Sequence, residues 1–362
     1  MARLFIFVLI FLTNLFAESK ENNSSTKAEA LKATVNEESP LYEKLLSLDY
    51  IQSSISKKVL IFSNRLDHSL TNNIEDDANA STKEASSLYG IVNLYDNFFK
   101  DETYLSTTNK SYIRLRLGAE LNAEEGFEYF NNIRVSLRLP KTEKALYFFV
   151  GDETDEETRT INKVDEDKPT SIGIKYVLDN LDILDASLFG GFRGISNPFI
   201  KLRFQYPIAF EHLLFRPVQY IEYSLEDEFK EETQFYFDHR LENRVDLMRL
   251  SLKRYTKTYL KGMNYSAQLS YISTLKHSIG FQVYALAQGQ TKIQTTQPAN
   301  IKYNVTPTKG IYNYSTGIVW RQQLFKKYLF YELQPLVEFD QQYNYSANYI
   351  FRAHIELYFG NI

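Results

Sequence analysis

Tyr112-Ile-Arg-Leu-Arg-Leu-Gly-Ala-Glu-Leu-Asn122 is the stretch that decides the fold. Ile113, Leu115, Leu117, Ala119 and Leu121 occupy every second position, and Arg114, Arg116, Gly118, Glu120 and Asn122 fill the places between them. A period of two belongs to a strand with one apolar and one polar face. The following stretch repeats it, with Phe127, Tyr129, Ile133, Val135, Leu137 and Leu139 set against Glu128, Asn132, Arg134, Ser136 and Arg138. Residues 200–206, 263–271 and 349–359 do the same. Runs of about ten alternating residues exceed the five or six of a typical soluble strand. They match the ~9–11 residues with which a tilted strand crosses a bilayer.

Outward from this stretch the chain reads as about fourteen such segments, near 111–122, 126–139, 144–151, 171–178, 183–193, 198–206, 214–224, 232–239, 245–254, 263–273, 278–289, 310–321, 328–339 and 347–359. Soft boundaries leave twelve to sixteen open. Pro217 and Pro335 fall inside two of them and predict bulges or local breaks, because proline removes a ladder donor. The two longest connections, about 152–170 and 290–309, follow the third and eleventh segments and so fall at one end, whereas the tight turn at Asp179-Asn180 falls at the other. Membrane barrels have this asymmetry of long external loops and short periplasmic turns. A soluble β-sandwich also alternates, with its apolar face inward. Strand length and a heavy aromatic load favour the barrel.

That load is 27 Tyr, 26 Phe and 1 Trp, 15% of 362 residues. There is no cysteine, which excludes a disulfide scaffold, thiolate metal sites and a cysteine nucleophile. Mean hydropathy is −0.36, unlike that of a protein with many helical spans. Forty-one basic against 45 acidic residues give a net charge of −4 and no reason to expect nucleic acid.

Upstream of the strands, Met1-Ala-Arg3 and the apolar run Leu4–Phe16 predict a signal peptide over residues 1–17, the run being too short to span as a helix. An N-terminal anchor helix is the alternative. Removing residues 1–17 deletes one charge, Arg3, and leaves 40 − 45 = −5. Residues 18–110 are expected to form a periplasmic leader, an amphipathic helix over about 40–67 and a linker, ahead of the barrel at 111–362. Ser39-Pro40 supplies the helix start, and Leu41, Leu45, Leu48, Ile55, Val59, Phe62 and Leu66 form its stripe, interrupted at Gln52. The stripe docks on the rest of the chain or, alternatively, pairs in a coiled coil. The arm is expected to be loosely held outside the membrane. A short apolar patch follows from Leu88 to Phe99.

The terminal strand Tyr349-Ile-Phe-Arg-Ala-His-Ile-Glu-Leu-Tyr-Phe359, with alternating hydrophobics and a closing aromatic, resembles the C-terminal strand of Gram-negative outer-membrane β-barrels, here followed by Gly360-Asn-Ile362. Phe98-Phe99-Lys-Asp-Glu-Thr-Tyr-Leu ahead of Ser111-Tyr-Ile-Arg-Leu-Arg116 resembles the start of the barrel in an uncharacterised porin-like family. The resemblance covers roughly residues 98–359. It implies an all-β, antiparallel transmembrane barrel in the cell outer membrane, with outer-membrane lipid, lipopolysaccharide and the barrel-assembly machinery as partners. No activity comes with it.

Chemistry is confined to the inward, polar face. Arg114, Arg116, Arg134, Arg138, Lys201, Arg203, Arg249 and Arg352 are the pore-lining candidates, joined by Lys175, Arg193, Arg216, Lys253 and Arg321. Glu120, Glu128, Asp185, Glu222, Asp238, Glu332, Glu338 and Glu356 oppose them. Thirteen cations against eight carboxylates make a mildly basic lumen, and such a set gives anion preference unless the arginines pair with these carboxylates and fill the barrel. His354 and Glu356 share a face as lumen filler, and no HExxH, GxSxG, Walker or GxGxxG stretch is present. The acidic stretches Asp152–Glu157 and Asp165–Asp167 read as a solvated loop without the order of a calcium site. The reading is a porin-like channel for small solutes, anionic ones included, with no cofactor, no metal and no catalytic residue. A non-conducting barrel that presents its long loops is the alternative, and an outer-membrane hydrolase the more distant one.

Overall fold

A computed structural model describes residues 49–63, 92, 95, 98, 99, 111–139, 146–151, 170–178, 184–241, 246–276, 279–293 and 308–360. The signal peptide, the leader, the Asp179-Asn180 turn and most of the two long loops lie outside the described residues. Helix α1 covers residues 49–63. The strands are β1 (Tyr112–Asn122), β2 (Gly126–Leu139), β3 (Leu146–Gly151), β4 (Ser171–Leu178), β5 (Asp185–Arg193), β6 (Asn197–Gln205), β7 (Ile208–Ala209), β8 (Leu213–Ser224), β9 (Glu228–Arg240), β10 (Leu247–Lys257), β11 (Asn264–Lys276), β12 (Ile279–Gln290), β13 (Gly310–Gln323), β14 (Leu329–Asp340) and β15 (Ala347–Gly360).

Each strand pairs antiparallel with its neighbour, and the sheet closes on itself. β1 pairs with β15 from Tyr112↔Gly360 to Asn122↔Ile350, and β6 pairs with β8 from Phe199↔Ser224 to Gln205↔Val218. β7 continues β6: Ile208↔Phe215 keeps the register of Gln205↔Val218, and only Tyr206-Pro207 facing Arg216-Pro217 lacks paired positions. The two prolines cannot donate to the ladder, so one strand is drawn as two. The wall is therefore a closed barrel of fourteen strands. At Pro335 the β13–β14 ladder is likewise interrupted, passing from Gly317↔Leu336 to Trp320↔Leu333. Both prolines break the ladder locally, and neither breaks the strand.

The distribution of side chains is inverted relative to a soluble sandwich. On β1, Arg114 is 3% exposed and Glu120 6%, while Leu117 is 48% and Leu121 56% exposed. Polar residues point into the barrel and apolar residues cover its outside. The second period-two face is thus the lipid face, as in membrane barrels. Near the end carrying the β3–β4 and β12–β13 connections, the outward face bears a band of exposed aromatics that includes Phe127, Tyr129, Phe192, Tyr223, Phe229 and Tyr349. Such girdles mark the boundary between hydrocarbon and headgroups.

α1 docks on the other end. Val59 is buried and Ile55 and Phe62 half-buried, as the stripe predicts, while Tyr50, Ile51 and Ile61 are exposed on the opposite side. Gln52, the polar interruption, donates from Nε2 to the carbonyl of Tyr358 at 3.5 Å. The Gly360 amide donates to Ser56 Oγ at 2.8 Å, and Ser63 Oγ donates to the Arg138 carbonyl. The Asp49 carboxylate accepts from Lys326 and, at 2.5 Å, from the Tyr328 hydroxyl. These contacts span the ends of β14, β15 and β2, so the described helix is tied to the barrel and is not the loose appendage the sequence suggested.

Candidate functional site

The inward face carries all eight pore-lining candidates, because each sits at the parity opposite the exposed apolar positions of its strand. Arg114, Arg134, Lys201, Arg203, Arg249 and Arg352 are buried, and Arg116 and Arg138 half-buried. Register brings Arg114 opposite Arg134. Arg114 donates a hydrogen bond to Tyr358.

Around β13, β14, β15 and β1 the charges interlock. Arg321 contacts Glu356 at 2.5 Å and Glu332 at 3.3 Å, and Arg116 reaches the other oxygen of Glu356 at 2.7 Å. His354 Nε2 lies 3.4 Å from Glu356 and 3.8 Å from Glu332. Gly118 makes room here: a Cβ on it would stand 2.4 Å from the Phe130 ring and 2.6 Å from His354 Cβ. Nearer the far end, Arg352 pairs with Glu120, its partner in register. Charges in such surroundings persist only when paired and hydrogen-bonded.

On β8 to β10, Asp238 lies between two guanidinium groups, Arg216 at 2.7 Å and Arg249 at 2.5 Å. Both also lie over the Tyr236 ring, at 5.2 and 5.8 Å from its centroid. Lys253 and Lys230 flank Glu232 at 3.3 and 3.7 Å. For these residues pairing, not repulsion, is what the lumen does with its cations.

β3 to β6 differ. Their only acidic residue is Asp185, at the start of β5, against Lys175, Arg193, Lys201 and Arg203. Arg193 reaches across to Glu222 of β8 at 2.6 Å. The two lysines sit against rings: Lys175 lies 5.4 Å from Tyr147 and 5.5 Å from Phe189, and Lys201 lies 5.4 Å from Phe189 and 4.7 Å from Tyr220. Arg203 donates to Gln205 and to the Tyr220 hydroxyl. Cation and ring alternate along this wall, each ring face attracting the ammonium beside it.

Two parts of the lumen were missed in the sequence. Lys230 lies in β9 ahead of the expected start at residue 232, and Glu232, at that start, is an inward carboxylate beyond the expected eight. The second is apolar. Val92, Tyr95 and Phe99, at helical spacing, are buried with Leu214, Leu247, Ile272, Tyr284, Leu286 and Val319, and Phe98 packs beside them. The wall residues are inward-facing, so this cluster lies inside the barrel. Its signal in the sequence is a set of apolar residues at positions of polar parity.

No protein-family model and no curated protein matches the chain. Among solved structures it is similar to the NanC porin (8% identity, TM-score 0.36, covering 67% of this chain and 98% of that one). It is similar also to the outer membrane protein OprD from Pseudomonas aeruginosa (10% identity, TM-score 0.41, 69% of this chain and 92% of that one). A third is the KdgM porin in complex with disordered oligogalacturonate (8% identity, TM-score 0.33, 67% of this chain and 98% of that one).

Proposed function

We propose that the protein is an outer-membrane, porin-like channel for small solutes, with a preference for anions. The observation that carries this reading is the β3–β6 wall, where Lys175, Arg193, Lys201 and Arg203 point inward against Asp185 at the rim and Glu222 of β8, inside a closed barrel whose outside is apolar. Fixed positive charge at low dielectric favours a passing anion over a cation. Arg114, Arg116, Arg134, Arg138, Arg249 and Arg352 complete the lining, with part of their charge offset by Glu120, Asp238 and Glu356. Residues 1–17 act as the export signal, residues 18–110 belong to the periplasmic side except for Val92, Tyr95, Phe98 and Phe99, which sit inside the barrel, and the long β3–β4 and β12–β13 connections face outside. Lipid surrounds the apolar band, and lipopolysaccharide and the assembly machinery are the expected partners at the membrane.

The test is single-channel current from the purified protein in a planar bilayer under a salt gradient. Reversal on the anion side is expected, and Lys201→Gln with Arg203→Gln should move it toward the cation side. A cation-selective pore overturns the preference. A second reading, a non-conducting barrel, is favoured by the apolar cluster inside the lumen. Silence of the full chain and of a form lacking residues 18–105 would establish it.

A further inference from the structure

We infer that Val92, Tyr95, Phe98 and Phe99 are the face of an internal plug, a piece of helix that occludes the lumen at rest and must leave its seat before solute can pass. The inference rests on the channel reading for its consequence and on packing for its position.

Positions 92, 95, 98 and 99 fall on one side of a helix, and the residues there are helical. Val92 has no solvent exposure and Tyr95 and Phe99 almost none. Their seat is an apolar patch from β8 to β13 on strands whose other inward residues include Arg216, Arg249, Gln268, Gln282 and Arg321. A water-filled conduit has no use for such a patch, and an occupant of matching chemistry accounts for it. One position is cut to fit. A Cβ on Gly280 would stand 2.6 Å from the Phe98 ring and 3.1 Å from the Phe99 ring, so the absent side chain is the notch that admits them.

Size makes the plug an obstruction. Fourteen strands about 4.8 Å apart, tilted by about 40°, form a wall roughly 28 Å across between backbones. Inward side chains from opposite walls leave space for about one helix, ~10–12 Å wide with its side chains. The seat lies toward the end of the barrel at which β1 begins. Leu214, Leu247 and Gly280 lie at or next to the first residues of β8, β10 and β12, the same end as Tyr112. From Phe99 to Tyr112 is 112 − 99 = 13 residues, enough extended chain for roughly 43 Å. That reach crosses the barrel.

The absence of cysteine permits a clean test on the full chain. Val319→Cys places one thiol in the seat, and an impermeant maleimide reports its access. Labelling should be slow with the plug in place and at least about tenfold faster when Val92→Glu or Gly280→Leu is added, since a carboxylate or a side chain in the notch expels it. Phe98→Ala with Phe99→Ala loosens the same contact without new charge, in case either variant fails to show the folded, heat-modifiable band. The same substitutions in the protein retaining Val319 should raise single-channel conductance severalfold. Equal labelling in folded proteins overturns the seat. Faster labelling with unchanged current overturns the occlusion. Faster labelling with no current from any form upholds the plug's position and removes the channel reading instead.

Discussion

Arg321 and Glu356 meet at 2.5 Å inside the barrel although β14 runs between their strands, and both are fully buried. The contact bridges next-nearest strands, so it resists shear between them in a way that no ladder hydrogen bond does. Glu356→Gln keeps the shape and removes the charge that Arg116 and Arg321 share. Breaking a buried pair costs about 3–5 kcal/mol, and a loss of that size is expected in reversible urea unfolding from lipid vesicles. A loss below about 1 kcal/mol, the range of exposed pairs, would show that water reaches the cluster.

The outer face predicts a depth profile. Leu117 lies at the middle of β1 and Tyr349 near the end of β15, both pointing outward. Leu117→Arg should cost about 2–4 kcal/mol and Tyr349→Arg about 0–1, because the penalty for a cation falls from the midplane to the interface. Equal costs in the same urea titration would mean that the apolar band does not lie in hydrocarbon.

Acid should release α1. Hydrogen bonds from Lys326 and then Tyr328 hold the Asp49 carboxyl below the usual carboxylate range. A carboxyl whose pKa is lower folded than unfolded contributes above the unfolded value and loses the contribution as pH falls through the folded one. Amide exchange across residues 49–63 should therefore be unchanged from neutrality to about pH 4 and rise below it. In Asp49→Asn that acid-dependent step should disappear. Tyr328, pushed up to about 12 by burial and by Asp49, remains a donor at ordinary alkaline pH.

Gly118→Ala places a methyl group 2.7 Å from the Ala353 carbonyl as well as against Phe130 and His354. Backbone cannot step aside as a side-chain tip can, so overpacking by about 1–3 kcal/mol is expected. The temperature at which the fast-migrating band is lost should drop. An unchanged transition would place the β1–β15 seam further apart than described.

The wall was readable because a period of two names both the strand and its inward face at once. All fourteen segments recur within a few residues, and the parity that sends Leu117 outward sends Arg114 and Arg116 inward. β9 begins at Glu228, ahead of the expected 232, because Glu228-Phe-Lys-Glu-Glu carries too much charge to look like strand until the lumen is known to be polar. The pairing of cations was not readable. Arg321 finds Glu356 through the registers of two successive ladders, and neither register is written in either strand alone. The internal cluster escaped for a related reason. Leu214 and Val319 break the polar parity on strands far apart in the chain, and only the closed wall brings those breaks together beneath Val92 and Phe99.

The anchoring of α1 has a consequence in time. Gln52 and Ser56 bond to Tyr358 and Gly360, partners 306 and 304 residues away along the chain. The earliest part of the described chain to leave the ribosome is thus fastened by the last. Contacts of such separation come late, after the closure entropy of the intervening chain has been met. Until β15 arrives the helix has no seat, and its half-apolar surface stays open to whatever escorts the chain. Once β15 pairs with β1, the hoop and the fastening become available together. A protein truncated by even its last strand would lose both at one stroke, leaving a full-length N-terminal half with nothing to hold.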